Sequence, residues 1–287
     1  KVMTLFLVII ALAVDLVSGD LERYRKFDWF IYLRNLLDER LGNNKYWDGN
    51  FSLLGLLSIP LLILSFMLFL FSYWSSLVEL IFIVCVLIYC ISPKELLSQF
   101  DKYIISIEKE DADASLLAQE LINKETTSNS DDIEIAIMKS AFIKSYKQIF
   151  AAIFWFFILG VVGVFLYRLV DKLNDELKGI SNSLSESTSI LLNILDWPST
   201  RLFAIGLALA GNLAEAIADI KKSDVFSIEA NYSLLVGIGI AALQYQPEID
   251  VSGREKSYWL NQFKFLIIRT LIIWIFVAAI IILPNIN

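Results

Sequence analysis

Three polar clusters interrupt a largely apolar sequence, and each carries side chains able to bind a small ligand. The first is D-L-V-S-G-D, in which Asp15 and Asp20 end an apolar segment. An ionisable group at membrane depth is costly, so it is by default a functional hypothesis. A helix end capped by Gly19 is the alternative interpretation of the same residues.

The second cluster follows Tyr167 and brings one arginine together with several oxygen ligands. On a helix, Asp171, Asn174 and Asp175 share a face with Arg168, at successive three- and four-residue spacings. Such a face is able to bind a divalent cation through its oxygen ligands. The alternative interpretation is the solvated end of a membrane helix.

The third cluster is D-W-P-S-T-R at residues 196–201, which predicts the start of a helix with Pro198 in its first turn. At about 100° per residue, one stripe of that helix collects polar residues. Its members are Arg201, Asn212, Glu215, Asp219 and Lys222. An interfacial amphipathic helix gives the same pattern, but the mixture of charge signs favours a polar pocket inside a helical bundle.

Composition excludes several other kinds of site. The 287 residues include no histidine, which removes Ser-His-Asp triads and His-ligated metals. Two cysteines, Cys85 and Cys90, are too few for a disulfide framework or a Cys₄ zinc site. A net charge of −7 opposes nucleic-acid binding. No Gly-rich phosphate loop occurs, so an ATP site would have to be non-standard. The sequence assigns no metal ligand and no catalytic residue.

The elements that position these clusters are apolar helices. A membrane crossing needs roughly 20 apolar residues, and 57% of this chain is hydrophobic. Spans are predicted at residues 2–17, 51–71, 77–92, 148–168 and 265–283. The first is predicted as a retained anchor rather than a signal peptide, because no small-x-small cleavage site follows it.

Polar segments at 18–50, 93–147 and 171–262 connect the spans, and the first has the apolar spacing of an amphipathic helix. We therefore predict an all-α polytopic helical bundle with interfacial amphipathic helices, forming a single membrane domain over residues 1–287. Four or five helices are expected to span. The density of Lys and Arg favours the cytoplasm for the first two polar segments.

A strict alternation of spans conflicts with a shared site. It places Asp15 and Asp171 at opposite faces of the bilayer. A kink with re-entry around Gly160 and Gly163 would remove the conflict. A different number of crossings, or a site near the middle of the membrane, would do so as well.

Taken together, the clusters resemble the CobD/CbiB superfamily of membrane cobinamide-phosphate synthases. Residues 15–20 resemble its D-L-L-L-G-D motif, residues 167–174 its Y-R-A-V-N-T-L-D motif, and residues 196–202 its N-W-V-P-A-R-L motif. The resemblance covers the chain from end to end in the same order. It implies a ligand site formed by Asp15, Asp20, Arg168, Asp171, Asn174, Asp196, Arg201 and Glu215.

Within this superfamily, the chain is most similar to the AmpE family. The L-D-W segment at 195–197, followed by Arg201 and Leu202, resembles the AmpE pattern L-D-W-x-x-x-R-L. Glu215, four positions after Gly211, resembles the glutamate of its G-x-x-E, with one additional residue between the two. The Asn and Asp of the second superfamily motif are exchanged here as Asp171 and Asn174, which favours AmpE over an active synthase.

The resemblance implies a multi-pass protein of the bacterial inner membrane, linked to β-lactamase induction and peptidoglycan recycling. Its expected partners are the lipid bilayer and a small anionic envelope metabolite, held in a polar pocket with Arg201 gripping a phosphate or carboxylate in a bidentate contact. No cofactor is assigned. An amide-forming synthase using Mg²⁺ and a nucleotide is the alternative, and a small transporter is the third candidate.

Overall fold

The computed structural model describes residues 2–18, 25–42, 47, 49–109, 114–122, 133–221, 224–245 and 253–282. These residues form α-helices joined by short turns, with one π-helical segment, and they include no strand. This confirms the predicted all-α class.

The predicted single domain divides into two compact units in the structure. The first unit contains Met3–Ser92 and Ala151–Trp197, and the second contains Pro93–Phe150 and Pro198–Asn287. Each unit is therefore assembled from two separate stretches of the chain.

The first unit is built from apolar helices and one amphipathic helix. Its helices are α1 (Val2–Val17), α2 (Asp28–Leu41), α3 (Gly49–Trp74), α4 (Ser76–Cys90), α8 (Ala152–Glu176) and the first part of α9 (Ser183–Ala210). The hairpin of α3 and α4 turns at Ser75, whose hydroxyl accepts a hydrogen bond from the backbone N–H of Leu77. Phe71 and Phe82 meet edge to face across the hairpin. The amphipathic helix predicted within residues 18–50 is α2, and it buries Phe30.

Helix α8 is broken at Gly160, one of the two glycines at which a kink was considered. The backbone angles there are φ 68° and ψ −154°, in a region open essentially to glycine alone. After the break the chain packs closely, because a Cβ on Gly163 would lie 2.5 Å from the carbonyl oxygen of Trp155. The kink therefore follows from the glycines, and the second arm of α8 carries Tyr167, Arg168 and Asp171.

The second unit contains the remaining helices. They are α5 (Pro93–Glu108), α6 (Ala114–Leu121), α7 (Ile133–Ser145), the end of α9, α10 (Leu213–Ile220), α11 (Asn231–Leu243) and α12 (Gly253–Ile282). A π-helical segment, Tyr146–Ala151, follows α7. Glycines bring the backbones together: a Cβ on Gly211 would lie 2.5 Å from the carbonyl oxygen of Ala242. A Cβ on Gly239 would lie 2.6 Å from the Phe142 ring.

Four helical stretches of the described chain are long and apolar enough to cross a membrane. They are Gly49–Trp74, Ser76–Glu108, Ile135–Glu176 and Glu255–Ile281. The helix at Met3–Val17, predicted as a fifth span, is shorter. The protein is thus a polytopic membrane protein of four long apolar helices.

The helix predicted to begin near Asp196 and to continue to Lys222 is wrong in two respects. The observed helix α9 begins at Ser183, so Asp196 and Pro198 lie inside it. It ends at Ala210, and Asn212 caps a separate helix, α10. The predicted polar stripe is therefore divided between two helices, and Lys222 lies outside the described residues.

Candidate functional site

A buried acid marks the end of α1 in the first unit. Asp15 forms an ion pair with Arg25, and both side chains are almost completely buried. The Arg25 Nε also donates to the carbonyl oxygen of Ile88 at 2.9 Å. The Asp15 side chain is thereby linked to the carboxyl end of α4. Its neighbour in the first motif, Asp20, lies outside the described residues.

A second buried ion pair lies on the second arm of α8. The Arg168 Nη1 donates to Asp171 Oδ2 at 3.2 Å, and both side chains are at least nine-tenths buried. The Arg168 Nε is also buried and has no hydrogen-bond acceptor among the described residues. This N–H is a charged donor available to an oxygen atom from a ligand.

Both arginines of these ion pairs act electrostatically on Cys90. The buried Cys90 side chain lies within electrostatic range of both Arg168 and Arg25. We call Asp15, Arg25, Cys90, Arg168 and Asp171 the polar centre. Asp15 and Asp171 therefore both lie near the carboxyl end of α4, which supports a shared site.

The third motif contributes a neighbouring hydrogen bond in the same unit. The Tyr167 hydroxyl donates to Asp196 Oδ1 at 2.9 Å, and both side chains are fully buried. Tyr167 precedes Arg168 on α8, so α8 and α9 are joined beside the polar centre. Asn174 lies one turn after Asp171 on α8 and is half-buried.

Arg201 belongs to the second unit and is engaged by the protein itself. Its Nε donates to the Val225 carbonyl oxygen at 3.0 Å, and its Nη2 donates to the Ser227 carbonyl oxygen at 2.6 Å. Its Nη1 donates to the Asn231 side chain and, at 2.9 Å, to the Thr200 hydroxyl. The guanidinium thus fastens the segment before α11 to α9. That Arg201 binds a phosphate or carboxylate of a ligand stays a prediction.

Buried polar groups surround this arginine. The Tyr146 and Ser199 hydroxyls share a hydrogen bond of 2.6 Å, and the Lys147 ammonium lies 5.3 Å from the centre of the Tyr232 ring. Burial lowers the pKa of Arg201, while nearby Tyr146 and Asp224 raise it. Arginine nevertheless stays protonated at neutral pH.

The last predicted site residue, Glu215, is exposed in the first turn of α10. Its backbone N–H donates to the Asn212 side chain at 3.2 Å. The structure joins Asp15, Arg168 and Asp171 in the polar centre, whereas Arg201 and Glu215 lie in the second unit.

Sequence reasoning missed three important residues. Arg25 pairs with an acid ten positions away and with a carbonyl in α4, so no local spacing indicates it. In the sequence, nothing distinguishes Cys90 from the other apolar residues of α4. Asn231 matches a glycosylation sequon, yet it is 1% exposed and bound to Arg201, so the folded protein does not present it for glycosylation.

Residues 8–234 match a family model described as CobD/CbiB protein. The chain belongs to the CobD/CbiB family. No curated protein and no solved structure matches it. The CobD/CbiB match includes all three sequence motifs and every residue of the polar centre. It places the chain among membrane proteins related to cobalamin biosynthesis.

Proposed function

We propose that this chain is an AmpE-like regulatory protein of the bacterial inner membrane that binds a small anionic envelope metabolite at the polar centre. The observation that carries the proposal is the buried Arg168 Nε–H, which has no acceptor among the described residues. A buried donor without a partner costs about 1–3 kcal/mol. A ligand oxygen that accepts from it recovers that cost and adds a charge-assisted bond.

The charge arrangement favours an oxyanion over a cation. Both acids of the polar centre are bound to arginines: Asp15 to Arg25, and Asp171 to Arg168. A cation at either carboxylate would lie close to the positive charge of a guanidinium. A carboxylate or phosphate, by contrast, approaches Arg168 through an N–H that the ion pair does not use.

The link to peptidoglycan recycling depends on the AmpE-like residues. In the L-D-W segment, Asp196 accepts the Tyr167 hydroxyl, so this segment is tied to the residue preceding Arg168. Because the AmpE family is linked to peptidoglycan recycling, the metabolite class we favour is a muramyl peptide, a peptidoglycan fragment with free carboxylates.

Binding of N-acetylmuramyl tripeptide to the purified full chain in detergent tests the proposal. In Arg168→Lys the positive charge remains but the Nε–H is lost, so we expect about tenfold weaker binding by calorimetry. Arg40→Lys is the matched control, because Arg40 is an exposed arginine of α2 in the same unit, and its affinity should equal that of the wild type. Equal affinity in all three proteins would refute a role for Arg168.

An amide-forming synthase is the second candidate, and the family match over residues 8–234 favours it. Such an enzyme activates a carboxylate with ATP and Mg²⁺. The described residues contain no group of three or more His, Cys, Asp or Glu side chains able to share a metal ion. Oxygen ligands for Mg²⁺ would therefore come mainly from the nucleotide.

Complementation separates the two candidates. The chain is expressed in a strain that lacks cobinamide-phosphate synthase, with membrane levels checked by blot and a true synthase as positive control. We expect no restoration of cobamide-dependent growth. Growth equal to that of the positive control would show the synthase to be the correct function and the regulatory proposal to be wrong.

A further inference from the structure

A wide groove lies in the second unit, and its lining includes no residue of the polar centre. Its volume is about 690 Å³, within the range of roughly 300–1,000 Å³ that small-molecule sites occupy. Its walls come from the start of α10, the end of α11 and one face of α12. The polar and aromatic side chains that line it are Asn212, Gln244, Tyr258, Trp259, Gln262 and Arg269.

Arg269 is the charged group of this groove, and its position on α12 is unusual. It lies inside the membrane-capable stretch Glu255–Ile281, where an arginine is costly unless it finds a partner. Its Nε donates to the Phe265 carbonyl oxygen at 3.3 Å, so the guanidinium turns back toward the start of α12. In the described part of the chain, Arg269 forms no ion pair.

Polar donors accompany Arg269 in the lining of the groove. Gln262 is about two helical turns before Arg269 on α12, and its side chain is half-buried. The Asn212 amide oxygen accepts from the backbone N–H groups of Ala214 and Glu215, which leaves its NH₂ group to donate elsewhere. A guanidinium and side-chain amides able to donate hydrogen bonds therefore line the same groove.

The surroundings of these donors are apolar and suit lipid chains. Leu213, which lines the groove, is 45% exposed. Beyond Arg269 on α12, Ile272 and Phe276 are 60% and 65% exposed. Tyr258 and Trp259 line the groove at the start of the membrane-capable stretch, where aromatic side chains commonly mark the level of the headgroups. A ligand that satisfies both parts of the groove has an anionic head and apolar tails.

We propose that this groove binds an anionic phospholipid, with Arg269 donating to the phosphodiester and the Gln262 and Asn212 amides donating to the rest of the headgroup. The acyl chains extend from the groove along Ile272 and Phe276, further into the membrane-capable stretch than Arg269. This site is independent of the polar centre, so its test and the test of the proposed function succeed or fail separately.

Native mass spectrometry of the full chain in detergent, titrated with phosphatidylglycerol or phosphatidylcholine, tests the site. The wild type should retain phosphatidylglycerol preferentially. Arg269→Ala should weaken the first phosphatidylglycerol bound by about tenfold or more, the loss of one charge-assisted contact. Arg269→Lys should keep part of the preference. Arg40→Ala, the exposed arginine of α2, is the control and should bind as the wild type does.

A second variant keeps the test decisive if Arg269→Ala fails to fold. Gln262→Leu keeps the helix and its apolar packing but removes an amide donor, and it should also reduce the preference for phosphatidylglycerol. Equal retention of the two lipids by the wild type would overturn the proposal, as would unchanged binding in both variants. Complete displacement of phosphatidylglycerol by inorganic phosphate would show that the groove binds a soluble anion instead of a lipid.

Discussion

Replacing Asp171 by alanine is expected to destabilise the folded protein by about 3–5 kcal/mol, the usual effect of breaking a buried ion pair by removing one partner. The reason is that Arg168, with 5% of its side chain exposed, would keep its charge without the carboxylate 3.2 Å away. The measurement is unfolding of the purified protein in mixed detergent micelles, followed by circular dichroism.

The same helix provides a matched control. Asp175 and Lys178 also form an ion pair three residues apart, with an N–O distance of 2.7 Å, but about a third of each side chain is exposed. Exposed pairs contribute at most about 1 kcal/mol. Asp175→Ala should therefore have a small effect. If the two aspartate variants lose the same stability, the proposed closed environment of the Arg168–Asp171 pair is wrong.

A double variant separates stability from ligand binding. Arg168→Met combined with Asp171→Leu removes both charges, and apolar replacements of a buried pair are often neutral or stabilising. We expect the double variant to recover most of the stability lost in Asp171→Ala while its affinity for N-acetylmuramyl tripeptide stays low. A stable double variant that binds as the wild type does would show that the polar centre has only a structural role.

Much of the fold could be predicted from the sequence because bilayer thickness imposes a length on each apolar run. The hairpin of α3 and α4 and the long helix at the end of the chain follow directly from that constraint. The break at Gly160 was anticipated as one of several options, and the backbone angles of the glycine show why it occurs there. The boundary between α9 and α10 was missed because the polar residues keep a helical spacing across Gly211, although α9 ends just before it.

The candidate site was predicted only in part, since its contacts are mostly long-range. Spacing along a helix correctly placed Arg168 beside Asp171. It did not indicate Arg25. This residue lies in the segment before α2, where it pairs with Asp15 and donates to the carbonyl oxygen of Ile88 in α4. The groove around Arg269 was also missed, because α12 alone shows an apolar helix with one snorkelling arginine.

Arg201→Ala is expected to cost about 2–4 kcal/mol, because several acceptors lose their donor and an unpaired buried polar group costs about 1–3 kcal/mol. The carbonyl oxygens of Val225 and Ser227 and the buried Asn231 side chain all depend on this guanidinium. Hydrogen exchange measures the effect locally: amides between Val225 and Asn231 should exchange faster, while those of α3 should not change. Arg201→Lys should give an intermediate result, since lysine keeps the charge but not the planar fork.

The exchange result also decides between two roles for Arg201. The contacts with Val225, Ser227 and Asn231 indicate that Arg201 fastens the segment before α11. In that case, loss of signalling in Arg201→Ala, measured as β-lactamase induction, will accompany faster exchange. If it grips a ligand anion, as the sequence motif predicts, signalling will be lost while exchange and stability stay at the wild-type level. Wild-type signalling in a well-expressed Arg201→Ala strain would refute the ligand role, because a guanidinium that grips the signal is needed whatever the stability of its own segment.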